Sequence, residues 1–392
     1  MEQYRKTHPN IIIVDSGDLL NEEEAISSSI EQSARMKAEH IAELLKIIGI
    51  DAVNVGEFDL VLGIGYLKEL AQKADFPFIS TNLVDAGGAA IFPRYVVKKV
   101  GNKNVGILGL IGDTGDMPGK VKEITNGEAS VANAVESATA VIEELKGKVD
   151  YIVALTHQVA NRDFVVARSI NRNAAGGIDV VVGGHDKQKT EDPINVDDKS
   201  LIVRAGEKGQ YLGMLEVDIA DKSHKNELVH LGEDIADDPK IKALISAYND
   251  KVFELYSGDG EAGVNPAADA VLQAEKCGTC HSTHLAKWKT TDHAKAYATL
   301  FERGRNYDPS CLTCHTVRFE QPGGFSMKDQ PMSLVNVQCE ACHGDAKDHL
   351  ASMQPIPTRK PTVELCARCH TADRNPNLVQ DQKIFMDKIK HQ

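Results

Sequence analysis

The 392-residue sequence has no apolar run near the roughly 20 residues needed to span a bilayer, so direct membrane insertion is not expected. It also lacks an export signal. The first apolar run, Ile11–Val14, is four residues long, against roughly 7–15 for a signal-peptide core. Neither a P-loop nor a Ser-nucleophile motif is present, which removes the commonest nucleotide-hydrolysing and acyl-transfer signatures. Low-complexity tracts are absent as well. Positive charge is in short supply, with 44 Lys and Arg against 57 Asp and Glu and a net charge of −13. An acidic body argues against nucleic acid or an anionic membrane as partner. The deficit is uneven: from residue 265 onward there are 16 basic against 14 acidic residues, and before it 28 against 43. Finally, no cysteine is left over, because all eight lie between positions 277 and 370 in four copies of one pentapeptide.

That pentapeptide is Cys-x-x-Cys-His, and the chain is organised around it. The copies are Cys277, Cys280, His281; Cys311, Cys314, His315; Cys339, Cys342, His343; and Cys366, Cys369, His370. Two thiols at this spacing add to the two vinyl groups of one haem, and the adjacent imidazole supplies an axial nitrogen to the iron. Pairing of the thiols into zinc or disulfide sites would leave the histidine after every pair unexplained. The expectation is four covalently bound haems c, with His281, His315, His343 and His370 as proximal ligands.

A second axial ligand decides whether a c-type haem only carries electrons or also binds a substrate. Beyond the motifs the C-terminal region offers His284, His293, His349 and His391, a count that matches four bis-histidine haems. His284 follows a proximal ligand by three residues, and His391 lies in the tail. Met327, Met332 and Met353 are thioether alternatives, although methionine near haem more often packs. Both a fully bis-histidine set and a set with one five-coordinate iron fit the sequence.

The run CGTCHSTHLAKWKTTDHAKAYATL, followed by CLTCHTVRFEQPGGF, VQCEACHGDAKDH and CARCH, resembles the tetrahaem cytochromes c that accept electrons from hydroxylamine oxidation. The resemblance covers about residues 270–372. It implies a mainly helical, loop-rich domain around closely stacked haems, one of which lacks a sixth ligand in that family.

Residues 1–230 read as alternating strands and helices. Strands are expected at 11–14, 52–55, 76–80, 151–155, 178–182, 201–204 and 211–218, and a hairpin at 95–100 and 105–110 across Gly101-Asn102. Helices are expected at 22–47, 64–74 and 128–146. Polar residues at strand ends place a site there. An amphipathic helix follows over 238–256, then a Gly- and Pro-rich linker over 257–268.

The pieces IIIVDSGDLL, GIDAVNVGEFDL, FPFISTNL, VGILGLIG, DYIVALTH, IDVVVGGHD and LIVRAGEKGQYLGMLEVDI resemble, in order and spacing, the metallophosphatase domain of the 5′-nucleotidase family. That resemblance implies a β-sandwich flanked by helices, with two divalent metals held at strand ends and a metal-bound hydroxide as nucleophile. Asp18 stands where the metal-bridging Asp belongs, and His157 and His185 where two metal-binding His belong. The family's upstream Asp-x-His is absent, and its Gly-Asn-His-Glu reads Gly56-Glu57-Phe58-Asp59. Its Gly-His-x-His reads Gly184-His185-Asp186-Lys187, so a cation takes a ligand position, which is unfavourable for a dication. Asp18, His157 and His185 are therefore expected as a vestigial site without divalent metal, a one-metal site being the alternative.

The expected organisation is a metallophosphatase-like domain over 1–237, a connecting helix over 238–256, the linker over 257–268 and a tetrahaem cytochrome domain over 269–392. The expected function is electron transfer on an impaired phosphoesterase scaffold. The alternatives are a redox enzyme with one open haem acting on a small nitrogen or sulfur compound, and a metal-dependent phosphoesterase. Haem attachment implies a periplasmic or extracellular location and an upstream export segment not present in the chain. Redox proteins are the expected partners, other multihaem cytochromes among them, within an oligomer or larger assembly.

Overall fold

A computed structural model describes residues 2–173, 176–232, 234–256, 273–327, 330–358, 360–371 and 382–390. The chain divides into two compact units, one of Met1–Ile26 with Ala34–Asp237, the other of Ser27–Ser33 with Asp238–Gln392. The expected linker 257–268 and His391 lie outside the described residues. Among the described residues no helix is long and apolar enough to cross a membrane.

The first unit is a sandwich of two sheets. Strands β1 (Val14–Asp15), β2 (Ala52–Asn54) and β3 (Phe78–Ile79) form a parallel sheet in that order. The second sheet has six strands: β5 (Tyr95–Val100), β6 (Lys103–Ile111), β8 (Tyr151–Gln158), β9 (Val180–His185), β10 (Ile194–Val196) and β11 (Ser200–Val203). Its order is β10-β11-β9-β8-β6-β5, with the middle four parallel and both edge strands antiparallel. Val14, Ala52 and Ile79 of the small sheet meet Val105, Ile107, Leu155 and Val180 of the large one, so the apolar faces of both sheets are buried against each other. Helices α2 (Glu31–Ile48), α3 (Ile64–Ala74) and α4 (Met117–Ile124) cover the outer face of the small sheet. Helices α5 (Ala134–Leu145) and α6 (Ala160–Asn173) cover the large one. Two ribbons complete the unit: β4 (Leu83–Asp85) with β7 (Ala129–Val131), and β12 (Tyr211–Val217) with β13 (His224–His230), while α1 (Glu2–Thr7) opens the chain.

The sheets approach closely at Gly109, where a side-chain carbon would collide with Asn54 Oδ1. Asn54 Nδ2 donates to Leu110 O at 2.9 Å, stitching one sheet to the other. Asn82, with no exposed surface, donates to Ile111 O at 2.8 Å and to Ala132 O at 3.1 Å, and its Oδ1 accepts from Ile111 N at 2.9 Å.

Three expectations are corrected in detail. The helix expected from 22 begins only at Glu31. The Ser27–Ser29 run bonds through its side chains, Ser27 Oγ to Ser29 Oγ at 2.6 Å, and such competition with the backbone disfavours helix. The helix expected from 128 begins at Ala134, because Ala129–Val131 pairs with β4 and Asn133 caps the helix by accepting from Glu136 N at 3.0 Å. The strand expected at 11–14 is reduced to Val14–Asp15.

The second unit is helical and rich in loops. After α7 (Pro239–Tyr256) come short helices: α8 (Ala274–Gly278), α9 (Ser282–Trp288), α10 (Ala298–Glu302), α11 (Pro309–His315), α12 (Cys339–His343), α13 (Lys347–Ser352), α14 (Val363–Cys366) and α15 (Gln382–Ile389). Its apolar core is thin, formed by Tyr297, Leu300, Leu312, Val317, Phe325, Met327 and Leu334, while Phe301, Met332, Leu350 and Met353 stay exposed. A protein core this small leaves room for apolar groups that the chain itself does not supply.

Substituting Asn82 with Ala strands the buried N–H and carbonyl of Ile111 and the part-buried carbonyl of Ala132. We expect a loss of about 2–4 kcal/mol from the first unit, read by calorimetry as a lowered transition for that unit alone.

Candidate functional sites

In the first unit four side chains converge at the C-terminal ends of parallel strands. Asp18 follows β1, Glu57 follows β2, and His157 and His185 lie near the ends of the neighbouring strands β8 and β9, where the register sets His157 opposite Gly184. One ligand atom from each falls within 4.8 Å of the others. His157 Nε2 is 3.0 Å from Asp18 Oδ2 and 3.0 Å from Glu57 Oε2. His185 Nδ1 lies 3.3 Å from Glu57 Oε1 and 3.2 Å from His157 Nε2.

The loops are held for this purpose. Asp59 accepts from the main-chain N–H groups of Asp18 at 2.9 Å, Leu19 and Leu20 at 3.0 Å, and Gly56 at 2.9 Å. Phe58 N donates to Asp18 Oδ1 at 2.8 Å. Any side chain at position 56 would strike Asp18, so glycine is required there. Asp18 and His185 both have left-handed φ values, 58° and 71°, a conformation that costs most non-glycine residues energy and that Asp and His tolerate better than most.

His157 is buried, and its Nδ1 sits 3.0 Å from the carbonyl of Ser16. A carbonyl only accepts, so Nδ1 carries the proton and Nε2 presents its lone pair to the cluster. Both oxygens of Glu57, also buried, are then left with no hydrogen-bond partner. Acceptors facing acceptors require a cation. In the metal-free protein a proton fills the role: burial pulls the His157 imidazole down, but Asp18 and then Glu57 more than reverse this and hold it well above the usual histidine range. Burial pushes Glu57 up, whereas His157 and His185 win and hold it well below the usual carboxylate range. Burial and then the charge of Asp18 push Asp59 up to about 7, against its N–H donors.

Two carboxylates and two neutral imidazoles carry a charge of −2, so the donor set fits one divalent ion, with the N/O character that suits zinc, manganese or ferrous iron. Among the described residues this is the one such cluster, and the eight thiols form none. Two points of the sequence reading change. Glu57, read there as the loss of an amide ligand, points into the cluster; a buried acid at a strand's C-terminal end was the available signal. Lys187 does not enter it: its ammonium meets Glu207 at 3.1 Å and its side chain is 68% exposed.

In the second unit each Cys-x-x-Cys-His lies on or beside a short helix: His281 just before α9, His315 and His343 at the ends of α11 and α12, and Cys366 at the end of α14. None of the cysteines is in a disulfide. The side chains of Cys277 and Cys339, from the first and third motifs, touch. His315 Nδ1 donates to Ala296 O at 2.6 Å, His343 Nδ1 to Thr358 O at 2.7 Å, and His349 Nδ1 to Gln354 O at 2.5 Å, so each presents Nε2. Two imidazole pairs lie close together. His281 and His349 have ring centres 6.1 Å apart with planes at 27°, and His293 and His370 lie 5.9 Å apart at 56°. His284 sits 5.5 Å from His281 and nearly perpendicular to it, edge-on, on the helix that follows that motif. Met327 is buried in the core, while Met332 and Met353 are exposed.

The donor tautomers and thin core fit haem. Thr358 N returns a bond to His343 O at 3.1 Å, Val337 N reaches His293 O at 3.1 Å, and Trp288 Nε1 donates to Val337 O at 2.9 Å, so the ligand-bearing turns are tied to one another.

The family profile "Cytochrome c554 and c-prime" matches residues 276–344. Cytochrome c-554 of Nitrosomonas europaea is 33% identical over 113 residues, covering 24% of this chain and 48% of that protein. The 5′-nucleotidase of Homo sapiens is 27% identical over 281 residues, covering 64% of this chain and 46% of that protein. The chain thus spans about half the length of these curated relatives. Among solved structures, the sulfate thiohydrolase SoxB of Thermus thermophilus aligns with a TM-score of 0.53 at 20% identity, over 64% of this chain and 45% of that one. The calcineurin-like phosphoesterase YfkN of Bacillus subtilis aligns with a TM-score of 0.52 at 21% identity, over 65% and 87%. At such identity these two speak for the fold alone, and they agree with the sandwich described above. The chain therefore joins a calcineurin-like phosphoesterase domain of the 5′-nucleotidase type to a cytochrome c554-type region.

Proposed function

We propose that the chain is an exported electron carrier with four covalently bound haems c, joined to a phosphoesterase-type domain that holds one divalent ion and does not hydrolyse phosphoesters. The observation that carries the first part is the separation of two pairs of neighbouring imidazoles. With metal–nitrogen bonds of about 2 Å, two imidazoles on opposite sides of one ion have ring centres about 6 Å apart, the separation found for His281 with His349 and for His293 with His370. Each pair joins one motif histidine to one from outside the motifs. We assign His349 as the sixth ligand opposite His281, and His293 as that opposite His370. Of the sequence candidates, His284, with its ring centre 5.5 Å from that of His281, fits that separation less well than His349.

Haem iron would supply one-electron exchange between ferric and ferrous states. The chain contributes what surrounds that exchange. Cys277, Cys280, Cys311, Cys314, Cys339, Cys342, Cys366 and Cys369 would anchor the rings. The carbonyls of Ala296, Thr358 and Gln354 fix three imidazoles in the ligating tautomer. Burial brings the His293 imidazole down, with the His370 charge acting in the same direction, and burial does the same to His370. Each shift favours the neutral imidazole, the form that ligates. The two histidine pairs support electron carriage to and from redox proteins over substrate chemistry at those two irons.

The cluster of Asp18, Glu57, His157 and His185 supports an ion where the sequence alone favoured none. Phosphoester hydrolysis on this fold asks for more than one ion and a group to aid the leaving oxygen. The described residues hold donors for a single ion, and Phe58, an apolar ring, stands where the family resemblance calls for histidine.

Two measurements test this. Electron paramagnetic resonance of the oxidised holoprotein, with the haem count from pyridine haemochrome, is expected to give four haems per chain. Replacing His349 or His293 with Ala is expected to convert one low-spin signal to high-spin in each case; an unchanged spectrum removes that assignment. Elemental analysis is expected to find one non-haem divalent ion per chain. That ion is lost in Glu57→Ala and His185→Ala, and nitrophenyl phosphate is not turned over at any metal loading. Turnover would restore the phosphoesterase reading.

A further inference from the structure

Glu340 lies inside the third attachment motif, between Cys339 and Cys342, and its side chain is turned inward with only 2% exposed. Its Oε1 accepts from Ala346 N at 3.1 Å. Its Oε2 faces the guanidinium of Arg318 at 3.4 Å, and the same guanidinium meets Asp345 Oδ2 at 3.1 Å. Arg318 adopts a left-handed φ of 49°, and Gly324 packs so closely on its carbonyl that any side chain there would collide. One cation is thus held between two carboxylates, leaving a net charge of −1. Lys347 approaches Asp345 only to 3.9 Å and is about half exposed, so water screens it.

A fixed negative charge in a poorly solvated setting stabilises a nearby ferric iron relative to ferrous, and local charge is one of the protein's means of setting haem potential. The covalent loop of the motif guarantees proximity, since Glu340 is flanked by the two attachment cysteines and precedes the ligand His343 by three residues. We propose that Glu340, with Asp345 as its outer partner and Arg318 as its clamp, lowers the reduction potential of the haem bound at Cys339 and Cys342. This gives the electron carrier unequal sites and so a preferred direction of electron flow. It rests on the proposed attachment of haem at those cysteines.

The experiment compares the full-length holoprotein with Glu340→Gln and Asp345→Asn by potentiometric titration, after the haem count and low-spin spectrum of each have been established. The ferric/ferrous equilibrium of the third-motif haem is expected to move about tenfold toward ferrous in Glu340→Gln, which is about 59 mV positive for a one-electron couple. In Asp345→Asn a smaller shift of the same sign is expected, because Asp345 is half exposed. A purely structural role would cost haem or change spin state without this signed displacement. Should Glu340→Gln fail to load haem, Asp345→Asn decides alone. Unchanged midpoints in fully loaded protein overturn the inference. Wild-type protein whose Cys339–Cys342 peptide carries no haem by mass spectrometry overturns the electron-carrier reading itself.

Discussion

One interaction recurs at four of the candidate ligand histidines: the imidazole gives its Nδ1 proton to a main-chain carbonyl. His157 gives it to Ser16, His315 to Ala296, His343 to Thr358 and His349 to Gln354. The bond does two things at once. It fixes the tautomer, so that the outward nitrogen has only a lone pair, and it fixes the ring plane, which a lone side chain would leave free. Because the acceptors are backbone atoms, the device depends on where turns are placed rather than on a second special side chain. The path of the backbone around each ligand is therefore as much a part of the site as the ligand.

That dependence explains the unusual backbone around the first unit's cluster. Asp18 in a left-handed conformation, Gly56 pressed against it and Asp59 collecting four N–H groups form one arrangement: the tight turn after β1 exposes its amides, and a buried carboxylate gathers them. Charge-assisted bonds of this kind are about twice as strong as neutral ones, enough to hold a strained residue in place.

Much of this was legible in the sequence, and the limits are physical. Ile64–Ala74 has a clear helical period, and the Gly101-Asn102 turn marks its hairpin, because both signals are local. The start of α5 was legible too, in Asn133 followed three residues later by Glu136, a capping pattern that outranks the apolar period before it. The strand Ala129–Val131 was not, since it exists only through its partner β4. The haem motifs were visible as one repeated spacing, and Asp18, His157 and His185 through the family resemblance. Which outlying histidine faces which motif was not, because His284 and His349 differ in sequence only by distance, and a ligand pair is made by folding. Glu57 was misread for a related reason: a substitution in a motif shows that a ligand type has changed, not where the new side chain points.

The contrast between Glu57 and Glu340 shows what folding adds. Both are buried glutamates beside a proposed metal ligand, and burying an ionised carboxylate costs several kcal/mol unless it is compensated. Glu340 meets a guanidinium and a backbone N–H, so its charge is answered by the chain and persists as a field on its surroundings. Among the described residues Glu57 pairs with no lysine or arginine; it faces two imidazoles, one of which has already spent a proton on Ser16. Its charge can be answered only by a second proton on an imidazole or by an ion from solution. A carboxylate paired with arginine is a fixed source of potential, whereas one paired with a lone-pair nitrogen is an open valence. That difference separates a residue that tunes a metal from one that binds it.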